Sequence, residues 1–351
     1  TSAGGSHRDC SGSMVELCPR PAGPSGKGVS AVRNYLLRRL GEMAVLLLLI
    51  SVLVFVILSF VPGGPLDMLI FSNPRITPAE IKKLNEAFGF DKPLHVRYLQ
   101  WLVDVAGGHW GSSWGVAYGR PVTEVILSRL DNTVVLMGAA TLCSILIAVP
   151  VGVYSAIRQY SWLDYLVTSF SFFGMSMPTF WFGIMLVVIF AVGLGWFPTG
   201  GVSDYGSEGD LLNRARHLVL PVTVLSLYNV ATWSRFVRSS MLEVLRQDYM
   251  RTARAKGLRE NVVIVKHGLR NSLIPVMTML ALEIPSLFSG AIITENVFSY
   301  PGMGRLFWDG VMAADWPVVQ GLVMITAFLV IACNLLADIG YAFVDPRIRY
   351  D

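Results

Sequence analysis

Two features of this chain carry residue types and spacing that could do chemistry. Glu283 is a carboxylate inside an apolar stretch. At membrane depth such a group could carry a proton, meet the amino end of a cargo molecule, or pair with a neighbouring polar residue as a purely structural element. The segment Leu242–Asn271 gathers Arg246, Arg251, Arg254, Lys256, Arg259, Lys266 and Arg270 against only Glu243, Asp248 and Glu260. That balance suits docking into another protein's groove or lying on anionic lipid, and the residues alone weigh the two equally. Other chemistry finds no support. The histidines, His7, His95, His109, His217 and His267, avoid the middles of the apolar runs and form no H-E-x-x-H helix. Cys10 and Cys18 sit in a Gly/Ser/Pro-rich tail and Cys143 and Cys333 in apolar runs, with no metal-binding spacing. This argues against an intramembrane enzyme and a bound metal. A Gly-rich loop ending in Lys-Ser/Thr is absent, so the chain does not hold a nucleotide phosphate in that way.

The elements that must position these residues are membrane helices. Hydrophobic residues make up 53% of the chain and charged ones 15%, with a mean hydropathy of +0.55; soluble domains carry about 25% charged residues. Met43 to Val61 holds no charge, and its only polar members are Ser51 and Ser59. Lipid offers no partner for backbone groups, so spans of this kind are helical. The expected fold is all-α and integral to the membrane, with six transmembrane helices at about 41–62, 132–157, 166–194, 217–237, 272–293 and 317–343. Basic residues in short loops set direction. Arg33, Arg38 and Arg39, then Arg158, then the basic loop, then Arg347 and Arg349 all fall on one side, which places both termini in the cytoplasm. A net charge of +4 gives no reason to expect nucleic acid. Residues 1–33 read as a disordered tail, with Met14 a candidate first residue. Residues 34–351 form the transmembrane domain, with an external loop at 63–131 and a cytoplasmic loop at 238–271. The first span lacks a small-residue cleavage site and reads as an anchor.

Local signals refine this frame. Thr77-Pro78-Ala79-Glu80 spells a helix start with a capping box, and Gly89 a stop. Leu94, Tyr98, Trp101 and Leu102 form a second amphipathic stretch, suited to interfacial packing or to a docking partner. Pro178, Pro221, Pro275 and Pro285 fall inside expected spans and predict kinks. Pro178 and Pro285 either shape a cavity wall or bend helices without touching a ligand. Asn229 and Asn334 suit bonds between helices. In the basic loop, Leu242, Leu245, Tyr249 and Ala253 share a helical face, Ala253 and Ala255 permit close approach, and Gly257 supplies a left-handed stop. Val262 to Leu269 reads as a second helical stretch. The segment 295–316 reads as a re-entrant gate or as an ordered loop.

The run Tyr249-Met250-Arg251-Thr252-Ala253-Arg254-Ala255-Lys256-Gly257-Leu258, followed by His267-Gly268-Leu269-Arg270-Asn271-Ser272-Leu273-Ile274-Pro275, resembles the "EAA" loop of ABC importer permeases, and most closely that of the first-permease type in the dipeptide/oligopeptide branch. Arg251, Thr252 and Arg270 depart from the general pattern of Glu, Ala and Pro in the way that this branch does. Glu295 to Leu306, Met177 to Trp181, Gly195 to Pro198, Asp91 to Leu94 and Asn334 to Arg349 extend the resemblance along the chain. The resemblance implies a type I ABC importer permease fold in a bacterial inner membrane, with Tyr249, Arg251, Thr252, Ala253, Arg254, Ala255, Lys256, Gly257 and Leu258 coupling it to an ATPase. It further implies a heterodimer with a second homologous permease, two ATP-binding cassette subunits that hold ATP and Mg, and an extracytoplasmic substrate-binding protein. No cofactor is expected on this chain. Glu283, Pro178, Pro285 and Asn229 are the candidate lining of the translocation path. The alternative is an ion-coupled secondary transporter with Glu283 as its proton site, in which the basic loop would have no evident purpose.

Overall fold

The computed structural model describes residues 27–61, 77–88, 91–207 and 209–344. Among the described residues the chain is helical, with a single bridge between Ser112 and Pro121 and no strand. The long helices are α1 (Lys27–Phe60), α4 (Val122–Ile157), α7 (Leu211–Leu245) and α14 (Trp316–Val344). Between the first two lie α2 (Pro78–Phe88) and α3 (Leu94–Ala106). Helix α5 (Trp162–Ser176) is followed by α6 (Thr179–Leu186), which continues as π-helix through Val187–Gly193. After α7 come α8 (Asp248–Ala255), the short α9 (Glu260–Val262) with π-helix Val263–Leu269, α10 (Arg270–Glu283), α11 (Ser286–Ser289), α12 (Ile292–Val297) and α13 (Met303–Met312). Helix α1 begins at Lys27, inside the tail expected to be disordered at 1–33. Residues 1–26, the expected stop at Gly89 and the terminal run from Asp345 lie outside the described residues.

Among the described residues, length and composition allow three helices to cross a membrane, Leu37–Phe60, Val122–Ile157 and Trp316–Leu336, and a fourth where the α5–α6 pair, bent by 103°, is counted as one span. The kink expected at Pro178 within 166–194 is a sharp bend between two helical pieces. Met177 is extended, at φ −84 and ψ 128, because a following proline excludes the helical region. Pro178 therefore separates two helices. The expected run at 272–293 is also interrupted. Helix α10 stops at Glu283 and Pro285 precedes the one-turn α11. Gly290 then reverses the backbone at φ +76, where a Cβ would meet the Gly304 nitrogen at 2.7 Å. Helix α7 is long but diluted by His217, Asn229 and four arginines, and α10 has only 14 residues.

The centre of the fold is the α4–α7 pair. Ala140, Ser144, Ala148, Gly152 and Ala156 recur at every fourth position of α4 and are all buried. Small residues at this spacing line one helix face and let two backbones approach in lipid, where no water drives association. The approach is closest at Gly152, whose missing Cβ would lie 2.6 Å from the Ser234 carbonyl oxygen and 2.8 Å from Val237 Cβ. Higher up, the Ser226 hydroxyl donates to the Ala140 carbonyl at 3.2 Å. At the end near the basic loop, Ser161 caps α5 through the Asp164 amide. The buried Asp164 carboxylate receives a two-pronged pair from Arg238 on α7, at 2.8 and 2.9 Å. It also accepts from the Ser155 hydroxyl and from the Tyr160 amide at 3.0 Å. One carboxylate thus joins α4, α5 and α7. Helix α1 packs on α14 and on α3, where Ser51 shares a 2.9 Å hydrogen bond with Tyr98 beside the rings of Phe55 and Trp101. The capping box at the start of α2 is present: the Thr77 amide donates to Glu80 at 2.8 Å, and its amide and hydroxyl hold that carboxyl below its ordinary value.

Four variants test this frame by thermal unfolding in detergent. Gly152→Val overpacks the α4–α7 contact and is expected to cost about 1–3 kcal/mol, whereas Gly138→Ala, with open space around its Cα, leaves the midpoint unchanged. Asp164→Ala strands a half-buried Arg238 and is expected to cost about 3–5 kcal/mol. Asp164→Ala with Arg238→Met recovers part of that loss, and no recovery would show that the pair is not what joins the helices.

Candidate functional site

The basic loop folds as a small anchored unit rather than a continuous amphipathic helix. Helix α7 ends at Leu245, so Leu242 and Leu245 belong to it and not to the face expected to run on to Tyr249. Helix α8 carries Asp248 in its first turn and Arg254 in its last, the order that complements the helix dipole. Its buried members are Met250 (0% exposed) and Ala253 (6%), which pack on Val263 with Val244 and Leu245 beside them. Tyr249, expected to share a helical face with Ala253, is 41% exposed. A period of 3.6 places 250 and 253 together, and the chain has turned a corner at Arg246 and Gln247, so the phase inherited from α7 is lost. Ala253 is therefore an internal packing residue, and Ala255 is the small residue left on the outside.

The anchor is tight. Gly268 sits against two methionines, since a Cβ there would meet Met241 Cε at 2.8 Å and Met250 Cε at 3.4 Å. Ser240 on α7 donates to the Ser272 carbonyl on α10 at 2.8 Å. Gly257 adopts φ +72, the left-handed stop expected of it, and its amide donates to the Arg254 carbonyl at 2.9 Å. Across that turn, Glu260 receives Arg254 through Nε at 3.3 Å and Nη2 at 3.0 Å. The second stretch, expected as a helix over Val262 to Leu269, is a π-helix over Val263–Leu269. What remains outward is Tyr249, Arg251, Thr252, Ala255, Lys256 and Leu258. This leaves an aromatic and an aliphatic side chain flanked by cations on the outside of the knob.

The four expected path residues do not form one cluster, and no hydrogen bond joins any two of them among the described residues. Glu283 is half-buried at the end of α10, not mid-helix, and accepts from the Ser286 hydroxyl at 2.9 Å. Pro285 is buried at the following break, Asn229 is half-buried on α7, and Pro178 is exposed at the α5–α6 bend. Asn334 is exposed on α14.

At the opposite end, two buried carboxylates went unnoticed in the sequence. Glu295 is fully buried and accepts from the amides of Ala291 at 3.1 Å and Arg305 at 2.9 Å and from the Thr133 hydroxyl at 3.3 Å. Burial pushes its carboxyl above the ordinary carboxylate value against those donors. Gly302 leaves it room, since a Cβ there would lie 2.5 Å from the carboxylate. Asp315 gathers the amides of Trp114, Gly115 and Val116 at 3.1, 2.9 and 3.0 Å and the Ser113 hydroxyl at 2.5 Å, just ahead of α14. Together with Asn132 and Thr133 of α4, bonded to Pro301 and Met303, they fold α12 and α13 onto the bundle. Segment 295–316 is thus an ordered helical lid on this end of α4. A carboxylate followed by Pro-Gly and a carboxylate just before an apolar helix were the available signals.

The model for "binding-protein-dependent transport system inner membrane component" matches residues 148–350, and that for the N-terminal part of such membrane components matches residues 32–137. The oligopeptide transport system permease protein AppB of Bacillus subtilis is 45% identical over 316 residues, which cover 90% of this chain and 99% of that one. The glutathione transport system permease protein GsiC of Salmonella typhimurium is 38% identical over 317 residues with the same coverage. The di/tripeptide transport system permease protein DppB of Pseudomonas aeruginosa is 36% identical over 335 residues, again with 90% and 99% covered. Among solved structures, a chain of the MetNI methionine ABC transporter in inward-facing form matches with a TM-score of 0.52 at 15% identity, over 64% of this chain and 97% of that one, a likeness of fold. With both family models matched and such relatives aligned along nine-tenths of its length, this multi-pass membrane chain belongs to the family of binding-protein-dependent transport system inner membrane components.

Proposed function

We propose that the chain is one permease subunit of an ATP-driven importer and forms half of a translocation path for di- and oligopeptides. The exposed knob at 248–258 docks on a partner ATPase. The observation that carries the docking is the division of that segment into a buried anchor, Met250 and Ala253, and an exposed face, Tyr249, Arg251, Thr252, Ala255, Lys256 and Leu258. A docking element must be rigid to transmit force and must leave its recognition face free, and this segment does both. The names of the relatives, for oligopeptide, di/tripeptide and glutathione transport, support a peptide cargo.

In this reading α1, α4, the α5–α6 pair, α7, α10–α11 and α14 are the six spans. Both termini and the basic loop face the cytoplasm by the rule that short loops rich in Lys and Arg stay inside. ATP and Mg belong to two partner ATP-binding subunits. ATP binding there draws the docked α8 with it, and the hydrogen bond from Ser240 to Ser272 and the Met241–Gly268 contact carry that movement into α7 and α10. A second homologous permease supplies the other half of the path, and an extracytoplasmic binding protein delivers cargo. Glu283, with Asn229 and the breaks at Pro178 and Pro285, lines the path.

The test co-expresses the tagged chain with the second permease and the ATPase subunits. Tyr249→Ala with Ala255→Asp, both at exposed positions, is expected to lose the ATPase subunits on purification and to abolish ATP-dependent uptake at an unchanged thermal midpoint. Retention of both would remove the knob from coupling. Uptake by the wild type that follows an ion gradient without ATP would instead establish a secondary transporter. Glu283→Gln is expected to lower uptake with the ATPase subunits still bound, and unchanged uptake would take Glu283 out of the path.

A further inference from the structure

A cavity of about 450 Å³ opens between α5, α7 and α10, lined by Met175, Thr232, Arg235, Phe236, Ser239 and Met279 among others. Its size is that of a small-molecule site. Two arginines border it, and they differ. Arg238 is committed to Asp164. Arg235, one turn deeper into α7, faces no carboxylate among the described residues. Its guanidinium lies 5.3 Å over the Phe172 ring and its Nη1 is 3.2 Å from Met175 Sδ, two soft contacts that hold the group without neutralising it. Three residues back on the same helix face, the Thr232 hydroxyl is buried without a hydrogen-bond partner. Arg235, Phe236 and Met175 are exposed, so this is a cleft open to its surroundings; with the idle Thr232 hydroxyl and the Met175, Met279 and Phe236 side chains about it, Arg235 suits an anion attached to a variable apolar body.

We infer that Arg235 and Thr232 form a carboxylate subsite that receives the C-terminal carboxylate of a peptide as it leaves the membrane path toward the basic-loop side. The inference rests on the proposed peptide importer. Every linear peptide ends in a carboxylate, whatever its side chains, so one fixed cation serves cargo of any sequence, and the methionine and phenylalanine walls adapt to the rest.

The experiment uses the whole complex, two permeases, ATPases and binding protein, in phosphatidylcholine vesicles with and without phosphatidylglycerol. A tripeptide and its C-terminal amide are each supplied at concentrations that saturate the binding protein. The wild type is expected to take up the acid about tenfold faster than the amide, the size of one charge-assisted hydrogen bond. Arg235→Gln is expected to bring the acid down to the rate of the amide, with subunit assembly and basal ATP turnover unchanged, and Arg235→Lys to retain most of the preference. Equal loss for acid and amide, no loss for either, or no preference in the wild type would overturn the subsite. So would a loss that follows phosphatidylglycerol content rather than the cargo's terminus, which would assign Arg235 to a lipid headgroup. Absence of ATP-dependent uptake of either peptide by the wild type would overturn the importer reading, and the subsite with it.

Discussion

The structure depends on one contact, the close approach of α4 and α7 along a stripe of small residues. In water two helices are driven together by the apolar surface they hide, but lipid tails hide it equally well, so packing and polar contacts must do the work. Ala140, Ser144, Ala148, Gly152 and Ala156 bring the α4 backbone near enough to α7 for dispersion to accumulate, and at Gly152 the Ser234 carbonyl fills the space of a side chain. Everything else is arranged around this pair. The α5–α6 pair leans on α7, the helical lid over 291–316 closes on α4, and α14 and then α1 complete the outer layer.

Polar groups fix the ends of that pair. Near the basic loop, Asp164 binds Arg238, Ser155 and Tyr160, so the start of α5 cannot slide along α7 without breaking a buried charge pair. At the other end, Glu295 collects the amides of Ala291 and Arg305 and, from distant α4, the Thr133 hydroxyl, while Asp315 collects the amides of Trp114, Gly115 and Val116 from far along the chain. Burying a carboxylate is costly unless donors surround it, and here the donors are loop amides that would otherwise lack partners themselves. Each carboxylate therefore orders a loop that has little apolar surface with which to order itself. The knob at α8 is the complementary case, ordered by methionine packing, with its charges left outside.

Much of this was legible in the sequence. Runs without charge announced membrane helices, Gly257 announced its left-handed turn, the Thr77–Glu80 box its helix start, and the basic loop its helix–Gly–helix form. The residues that misled are instructive. Leu242, Leu245, Tyr249 and Ala253 read as one face carried across Arg246 and Gln247, where the chain turns; Ala253 still packs beside Leu245, but Met250 takes the buried place and Tyr249 is exposed. Pro178 and Pro285 read as kinks in continuous spans; at Pro178 the helices separate because Met177, before the proline, leaves the helical region, and α10 ends at Glu283, two residues before Pro285.

The sequence by itself determined the solvent, the helical class and the family, because each rests on composition, short-range periodicity or a contiguous motif. It also determined that no nucleotide loop of the Gly-rich, Lys-Ser/Thr type is present. Only the tertiary structure decided which carboxylates are structural. Asp164, Glu295 and Asp315 take their partners from residues far away along the chain, and Arg238 and Arg235 are alike in sequence but unlike in space, one saturated and one free of any carboxylate among the described residues. Such distinctions depend on what lies across a helix contact. The close packing of α4 on α7 sets those neighbours, and no local pattern records them.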